Sequence, residues 1–482
     1  MQPKPAYNLQ QILALEDDDA LLQIFCKGTN IPAWTLIRIQ FIRAILSDLL
    51  FSSGILIGAG KRPAYFDLLN FLVRSQFHNF VNRSDRHSDI CFFTTGLGIY
   101  ERNGKIQDRL VSYFADCYPS SSFIYQEHGD WRWIEGGKSN ATMHATPYNI
   151  YSQILGRIIV GKQHREMARE VVNLAARNVK LKLDYALDQI KIETLIKSLS
   201  IQLAVLPNSI NHYANWFAKG KIKLLFKENA CYGARSVAIL NAARISGVIT
   251  AEYQHGGITK GHDGYNVASA LANSEHFKET LPDYLLTYGD WWSQQTNMPI
   301  KKLSIGNPHL TESLKQFSRI PASKSRVLIL GDGIETKLYL NLASIVAQMH
   351  WVRGAPVVFR PHPLERSNVK NFNIPFGVVL DIHNDIYDSL RQSWLVISEL
   401  STGLFEAVGI VNKILLWETA KSRFAFPILP FPSFSTIDEL EGLLEEDTYY
   451  SKHSEVSIKP DDLWAPNWEL NYKSFIQEVL PS

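Results

Sequence analysis

Cysteine is scarce in this chain of 482 residues. None of its four cysteines is in Cys-x-x-Cys spacing, so the sequence predicts neither a zinc site nor a disulfide framework and favours a reducing compartment. No uninterrupted apolar run reaches about 18 residues, which argues against a membrane-spanning helix. The first residues also lack the basic-then-apolar pattern of a signal peptide. We therefore expect a cytoplasmic protein.

An excess of one charge is missing as well, because 49 basic residues balance 47 acidic residues. That balance gives no reason to expect a nucleic-acid partner. The hydrophobic share of 46% and the charged share of 20% are typical of soluble globular proteins. A chain of this length is expected to form two or three domains.

The most unusual stretch runs from Ala251 to Tyr265 and contains two histidines, two carboxylates and four glycines. Glycine lets the backbone approach a ligand closely, and histidine changes its charge near neutral pH. The alternative is a strand-to-turn connection whose polar side chains only cap backbone groups. A second cluster, Gly261-His262-Asp263-Gly264, favours a functional site. The acceptor-side candidates are Gln254, Gly256, His262, Asp263 and Tyr265.

From Asp89 onward, short apolar runs alternate with helical patterns. A strand that leads through a glycine turn into a helix is the unit of a parallel doubly wound sheet, whose ligands collect at the carboxyl ends of the strands. Glu228 and Glu252 follow two consecutive predicted strands, and His255 follows the second. A general base for a sugar or polyol hydroxyl could come from these three residues.

Four further segments are weaker candidates. The Gly54–Arg62 segment lacks the spacing of a phosphate-binding loop, and Trp131 or Trp133 in a polar loop could stack a sugar ring, although packing is the alternative. The basic helix near Arg169 and the Trp291-Trp292 pair could contact an anionic membrane, although a solvated helix face is the default for the former.

The strand pattern restarts at Arg326 after a polar stretch. We predict a mostly helical segment 1–85, an acceptor domain 86–310, a nucleotide-binding domain 320–465 and a C-terminal helix or tail 466–482. Polar groups again follow the strands of the last unit. Arginine favours bidentate contacts with phosphate, and hydroxyls at a helix start can seat an anion, although simple helix capping is the alternative for Ser401 and Thr402. The donor-binding candidates are Gly331, Asp332, Gly333, Arg360, His362, Pro363, Ser398, Glu399, Ser401, Thr402 and Glu406.

Several of these motifs resemble the GT-B transferases of bacterial surface polysaccharides. That group includes capsule synthesis proteins, bacterial sialyltransferases, Kdo transferases and CDP-glycerol glycerophosphotransferases. The resemblance covers roughly residues 221–444 and rests on Glu228–Gly233, Gln254-His255-Gly256 with His262 and Tyr265, Ser304–Pro308, Arg360–Pro363 and Ser401–Glu406.

The resemblance implies two Rossmann-like domains facing across a cleft and a metal-independent glycosyltransferase without a cofactor. Its donor would be a CMP-linked nonulosonic acid or Kdo-type sugar, and its acceptor a glycan or lipid-linked glycan, with peripheral contact at the inner membrane face as a further expectation. A CDP-polyol donor, a non-catalytic GT-B partner and a nucleotide-sugar epimerase remain as alternatives.

The resemblance also implies roles for individual residues. His362-Pro363 and Ser401-Thr402 match two motifs of the sialyltransferases, whereas Gly331-Asp332-Gly333 matches the acidic motif poorly, so the role of base is not assigned to Asp332. His255 and His362 match the functional histidines of the glycerophosphotransferases. An acceptor hydroxyl would lose its proton to His255, Glu228 or Glu252. Arg360, His362 and the Ser401-Thr402 turn would stabilise the leaving phosphate.

Overall fold

The computed structural model describes residues 7–50, 65–81, 88–96, 98–102, 105–127, 141–317, 325–349, 354–363, 365–366, 371–381, 383, 385–445 and 458–481. The Gly54–Arg62 segment and the loop with Trp131 and Trp133 lie outside these residues. The described chain contains two parallel β-sheets and one short antiparallel hairpin.

The first sheet has seven parallel strands in the order β5-β4-β1-β6-β7-β8-β9, and the hairpin pairs β2 with β3. The strands of this part are β1 (Ile90–Thr94), β2 (Ile99–Arg102), β3 (Lys105–Asp108), β4 (Ser122–Gln126), β5 (Ala141–His144), β6 (Leu224–Lys227), β7 (Ile249–Tyr253), β8 (Tyr284–Thr287) and β9 (Lys301–Ser304).

The second sheet has six parallel strands in the order β12-β11-β10-β13-β14-β15. These strands are β10 (Arg326–Leu330), β11 (Val357–Arg360), β12 (Val378–Leu380), β13 (Ser393–Ser398), β14 (Lys413–Trp417) and β15 (Ser433–Phe434). In each sheet the strand order reverses beside the first strand, which is the doubly wound arrangement. The prediction of two Rossmann-like domains is confirmed.

Helices precede, connect and follow the strands. They are α1 (Leu9–Leu13), α2 (Asp19–Leu22), α3 (Trp34–Leu50), α4 (Tyr65–Val81), α5 (Val111–Cys117), α6 (Thr146–Ile159), α7 (Lys162–Leu183), α8 (Gln189–Gly220), α9 (Arg235–Ile245), α10 (Ser269–Asn273), α11 (Glu275–Lys278), α12 (Asp290–Ser293), α13 (Pro308–Phe317), α14 (Thr336–Ala347), α15 (Ile386–Arg391), α16 (Gly403–Glu406), α17 (Ala420–Ala425), α18 (Ile437–Glu445), α19 (Pro460–Leu463) and α20 (Trp468–Val479).

Burial explains why the central strands have nearly continuous apolar sequences. Every residue of β1, β4, β6 and β11 is buried, as expected for parallel strands that are covered on both faces. One continuous apolar core joins the first sheet to one face of the second sheet, while a smaller core covers the other face of the second sheet. The two domains therefore pack directly against each other.

The two ends of the chain both pack on the first domain. At the N-terminal end, the Arg38 side chain of α3 is buried against Glu16 with a shortest N–O distance of 2.5 Å. At the C-terminal end, α20 returns from the second domain, and its Tyr472 ring lies 4.8 Å from the Phe114 ring of α5. The first domain is thus closed by segments from both ends of the described chain.

Candidate functional site

The chain reverses its strand order at one point in each sheet, between β1 and β6 in the first and between β10 and β13 in the second. Ligands of doubly wound sheets bind outside the carboxyl ends of the strands at such a switch point. Thr94 and Glu228 lie at the first switch point. Gly331 and Glu399 follow the strands of the second. The predicted residue His255 follows β7, the neighbour of β6.

The carboxyl edges of the two sheets meet. A Cβ atom placed on Gly257 would lie 3.0 Å from Thr402 Cγ2, so the loop after β7 touches the turn after β13. The Gly261 amide donates to the Ala425 carbonyl of α17 at 3.1 Å. His309 Nε2, at the start of α13, lies 3.1 Å from Asp385 Oδ2 of the second domain. We call this contact region the seam.

His255 lies at the seam with its side chain largely buried. Its Nδ1 atom lies 3.9 Å from Glu252 Oε1 and has no hydrogen-bond partner among the described residues. Burial lowers the pKa of His255, and the charges of Arg109 and Lys227 lower it further, whereas Glu252 opposes the shift. The imidazole is therefore neutral at pH 7 and able to accept a proton.

Glu252 and Gln254 are occupied by contacts within the first domain. The fully buried Glu252 carboxylate accepts hydrogen bonds from the Cys231 amide at 2.7 Å and from the Tyr265 hydroxyl at 2.6 Å. Gln254 accepts from the Tyr288 amide at 2.8 Å and donates to the Gly256 carbonyl at 2.7 Å. These contacts fix the backbone on both sides of His255.

His262 and Asp263 are also held by neighbours. His262 Nδ1 accepts from the Gly264 amide at 3.0 Å, while Nε2 lies 3.2 Å from the Tyr232 hydroxyl. Burial lowers the pKa of His262 to about 4. The Asp263 carboxylate receives a hydrogen bond of 2.9 Å from Arg43 Nε of α3.

The N-terminal helix α3 anchors this loop at a second place. Arg38 donates to the carbonyl oxygens of Asp263 at 2.8 Å and Asn266 at 2.6 Å. Its partner Glu16 also accepts from the Ala268 amide at 3.2 Å. The N-terminal segment, whose role could not be predicted, therefore helps to fix the loop that carries His255.

A carboxylate pair at the first switch point was not predicted. The Thr94 hydroxyl lies 2.9 Å from Asp108 Oδ2 and 3.2 Å from Glu228 Oε2, and the Thr95 amide donates to Glu228 at 2.7 Å. Burial raises the pKa of Asp108, and the nearby Glu228 charge raises it further. Only Glu228 of this pair was a sequence candidate, because Asp108 reaches it through the β2–β3 hairpin.

Arg109 is a second residue that sequence reasoning missed. Its Nη2 atom donates to the His255 carbonyl at 3.2 Å. Its positive charge lowers the pKa of both His255 and His362. Burial raises the pKa of Glu406 in the second domain, and the Arg109 charge opposes that shift. Arg109 is therefore a cation within electrostatic reach of predicted residues from both domains. A single arginine outside any motif offers no signal in the sequence.

In the second domain, the structure places Arg360 within a network of its own. Its Nη1 atom donates to Asp381 Oδ2 at 2.6 Å, to the His383 carbonyl at 3.0 Å and to Ser389 Oγ at 3.2 Å. The side chain is buried. A phosphate bound by Arg360 would have to share the guanidinium with these acceptors.

His362 is half-buried between Pro361 and the exposed Pro363. Burial lowers its pKa to about 4, Arg109 adds to that shift and Asp332 opposes it. Gly333 has φ +80°, and a Cβ atom there would lie 3.0 Å from the imidazole. This glycine allows the turn after β10 to approach His362 closely.

Asp332 and Glu399 belong to a buried charge cluster. Lys421 Nζ of α17 lies 2.8 Å from Asp332, 2.6 Å from Glu335 and 2.7 Å from Glu399. Asp332 Oδ1 also accepts the amides of Ile334 and Glu335, both within 2.9 Å. The cluster joins the ends of β10 and β13 to α17.

The hydroxyl residues after β13 have local contacts. Ser398 Oγ donates to the Leu330 carbonyl at 2.8 Å, which links the two strands of the second switch point. Ser401 Oγ accepts from the Gly403 amide at 3.2 Å, so the local capping contact weighed for Ser401 is present. Thr402 instead faces the first domain at Gly257.

The Trp291-Trp292 pair lies in the packed contact between the domains. Trp292 is fully buried, donates to the Leu463 carbonyl at 3.0 Å and packs 4.8 Å from the Phe405 ring. Trp291 packs 5.0 Å from the same ring. The prediction that Trp292 contacts a membrane is therefore wrong, because packing between the domains covers its indole.

No group of three or more His, Cys, Asp or Glu side chains in the described ranges could hold a metal ion. None of the helices that the structure describes combines the length and apolar character needed to cross a bilayer.

Neither a protein-family model nor a curated protein matches the sequence. Among solved structures, the chain is similar to a UDP-GlcNAc 2-epimerase from Neisseria meningitidis bound to UDP-GlcNAc, with 12% identity, coverage of 82% of this chain and 99% of that chain, and a TM-score of 0.42. It is similar to a putative UDP-N-acetylglucosamine 2-epimerase from Listeria monocytogenes, with 11% identity, coverage of 83% and 98%, and a TM-score of 0.44. A spinosyn rhamnosyltransferase shows 11% identity, coverage of 68% and 80%, and a TM-score of 0.37. Likeness at this distance assigns neither an activity nor a substrate to this chain.

Proposed function

We propose that the protein transfers a sugar from a nucleotide-activated donor to an acceptor hydroxyl at the seam. The observation that carries the proposal is the position of Arg109, whose charge acts on His255 of the first domain and on His362 of the second. A cation that contacts the His255 backbone and acts electrostatically on two neutral imidazoles suits a reaction in which one group removes a proton and an anion departs.

In the proposed reaction, His255 takes the proton of the acceptor hydroxyl. The acceptor oxygen then forms a bond to the donor sugar carbon, and the bond from that carbon to the donor phosphate oxygen breaks, with its electron pair leaving on the phosphate. Glu252 Oε1, 3.9 Å from His255 Nδ1, would stabilise the imidazolium that forms. Because Glu252 already accepts two hydrogen bonds, we assign it this positioning role and assign proton removal to His255.

The leaving phosphate is assigned to Arg109, His362 and Thr402. Arginine holds its charge at any physiological pH and offers paired donors to phosphate oxygens. His362 would donate a hydrogen bond as a neutral imidazole, because its pKa is about 4. Arg360, two residues before His362, is held by Asp381 and Ser389 and would help to fix the start of the His362 turn.

For the donor, we propose a CMP-linked keto-deoxy sugar, used in the synthesis of a bacterial capsule, O-antigen or lipopolysaccharide. The support is the resemblance of the His255, His362 and Ser401-Thr402 motifs to the cytidine-nucleotide transferases. A CDP-polyol donor would transfer a phosphoryl group, and we would expect more basic residues flanking the His255-Gly256 motif in the sequence. The one lysine close to it in sequence, Lys260, donates to the Gln294 carbonyl at 2.5 Å.

A nucleotide-sugar epimerase is the second candidate. It is favoured by the Asp108 and Glu228 carboxyl groups, which both lie within hydrogen-bond distance of the Thr94 hydroxyl. Burial and the Glu228 charge raise the pKa of Asp108, and such a pair of carboxyl groups could supply an acid and a base side by side. An epimerase would convert a nucleotide sugar without any acceptor. The transferase requires one.

The test begins with calorimetric titration of the purified protein with CMP, CDP, UDP and GDP. We expect CMP to bind most tightly, and a preference for UDP or GDP would overturn the cytidine proposal. Conjugates of the nucleotide that binds are then incubated with and without a mixture of bacterial glycan acceptors. Release of free nucleotide only with acceptor supports transfer, epimerised nucleotide sugar without acceptor supports the second candidate, and no binding of any nucleotide contradicts both.

A further inference from the structure

The helix α4 of the first domain exposes a stripe of large apolar side chains. Leu69, Val73, Phe77 and Phe80 are exposed by 41% to 73%. Their spacing of three and four residues places them on one face of the helix. A soluble helix normally turns such a stripe toward the core.

The helix α6 exposes a second stripe beside the first. Tyr151, Ile154 and Ile158 are exposed by 52% to 74% and follow the same helical spacing. The two helices pack against each other. Asn79 of α4 also bonds to both backbone groups of His144, two residues before α6, at 2.7 and 2.9 Å. We call these seven apolar side chains the α4–α6 face.

Cationic side chains accompany this face. Arg74 of α4 and Arg157 of α6 are exposed, and Lys162 and Arg165 are exposed in the first turns of the next helix, α7. The sequence of α6 contains no acidic residue, and that of α4 contains one, Asp67, in its first turn. Apolar groups with cations beside them match a surface that is oily and negatively charged.

Although α14 exposes two large apolar side chains, Leu338 and Ile345, by 36% and 42%, most of the others that the described residues expose lie on separate elements. Leu181 on α7, Ile245 on α9 and Ile428 after α17 are examples. Single exposed apolar residues are normal on a protein surface, whereas a contiguous group indicates a binding surface. The concentration on two adjoining helices therefore distinguishes the α4–α6 face.

We propose that the α4–α6 face docks the protein on a bilayer that contains anionic phospholipid. The apolar side chains would enter the boundary between headgroups and acyl chains, while Arg74, Arg157 and the start of α7 would meet lipid phosphates. The contact is peripheral, with both helices lying in the plane of the surface. The proposal does not rest on the reaction proposed above.

The test is co-sedimentation of the full chain with vesicles. We expect binding to phosphatidylcholine vesicles that contain about one third phosphatidylglycerol, and roughly fivefold less binding to pure phosphatidylcholine. The double variant Phe77→Ser with Ile158→Ser should lower binding to the anionic vesicles roughly fivefold or more. The matched control is Leu181→Ser with Ile245→Ser, which removes the same kind of exposed side chain elsewhere and should bind as the unchanged protein does.

A charge variant gives an independent result. Arg157→Glu should weaken binding to the anionic vesicles by roughly fivefold and leave binding to neutral vesicles unchanged. If the double variant melts at a lower temperature than the unchanged protein, the result for Arg157→Glu decides whether the face binds anionic lipid. The proposal is overturned if the unchanged protein does not sediment with anionic vesicles, or if the control pair loses as much binding as the double variant. It is also overturned if light scattering shows a dimer that the double variant converts to a monomer, because a second copy would then cover the face.

Discussion

The two switch points hold their buried carboxylates in different ways. At the second, one lysine, Lys421, lies within 2.8 Å of three carboxylates from the turns after β10 and β13. At the first, the Asp108 and Glu228 carboxylates face a shared threonine hydroxyl and backbone amides. The two sheets have the same doubly wound strand order, but the charged groups at their switch points differ.

This difference indicates a structural role for the charged cluster of the second domain and a chemical role for the groups of the first domain. Burial would lower the pKa of Lys421, but Glu399 and Asp332 raise it well above its usual value, so the cation stays charged and the cluster is a rigid support. In the first domain, burial raises the pKa of Asp108 at the switch point and lowers the pKa of His255 after β7, so both groups are shifted toward their uncharged forms. Shifts of this kind are typical of groups that take part in proton transfer.

The largest effect should come from removing the support. Lys421→Met would leave three carboxylates facing one another without their cation, and we expect a loss of about 3–5 kcal/mol in the free energy of unfolding at pH 7. Repulsion raises the folded-state pKa values of these carboxylates above their unfolded values. The deficit should therefore shrink as pH falls toward 5, where protonation relieves the repulsion. Urea unfolding at several pH values measures both effects.

The control for this variant is Lys473→Met on α20, which removes an exposed lysine that pairs with Glu469 at 2.5 Å. An exposed pair of this kind contributes about 0.3–0.5 kcal/mol, so the control should stay close to the unchanged protein at every pH. A Lys421→Met variant as stable as the control would show that the cluster does not support the second domain.

The next effect tests the division of labour between the two histidines. His255→Ala should lower the rate of transfer roughly 10²–10³-fold, because it removes the proposed proton acceptor, and should leave nucleotide affinity within about threefold. His362→Ala should instead weaken nucleotide binding about tenfold. Steady-state rates and calorimetric affinities distinguish the two. Losses of the same size in both quantities for both variants would refute the assignment, and His212→Ala on α8 is the control.

Arg109 should show a smaller effect that involves both domains. Arg109→Met removes the cation near His255 and His362, so nucleotide affinity should fall roughly tenfold and the pKa of both imidazoles should rise. Arg109→Lys keeps the charge and should recover most of the pKa effect, although not the paired donors that arginine offers to phosphate. Histidine titration by NMR reports the shift. Imidazole pKa values that do not move in Arg109→Met would place Arg109 outside the site.

Most strands of both sheets could be predicted because buried parallel strands have apolar sequences that end in glycine or polar residues, whereas β5, β14 and β15 were not predicted. The apolar runs that form β1, β10 and β13 are examples. Gly331 and Asp332 follow β10 and Glu399 follows β13, which places all three at the second switch point. The 32-residue helix α8 has no counterpart in the sequence reading, and it contains Pro207, which ordinarily marks a helix end.

The candidate site was predictable only where a local motif marked it. His255 and His362 stand in such motifs, and the structure places both at the edges that meet, while their roles remain predictions. Asp108, Arg109 and Lys421 stand in no motif. Their importance arises from interactions between separate segments: the β2–β3 hairpin contacts the end of β1, Arg109 acts electrostatically on Glu406, and α17 contacts the turn after β10. Strand order and domain packing create these contacts, and neither can be read from spacing along the chain.

The smallest effect concerns His262, whose largely buried imidazole has its pKa lowered to about 4. The unfolded chain binds a proton at this position below its ordinary pKa of about 6.5, whereas the folded chain does not until about pH 4. This contribution to stability is therefore lost as pH falls from 6.5 toward 4. His262→Gln cannot titrate, so its free energy of unfolding should fall less over that range, by about 1–2 kcal/mol. Parallel curves for the two proteins between pH 4.5 and 6.5 would mean that His262 titrates normally, and the first domain would then lack the dry environment on which its contrast with the second depends.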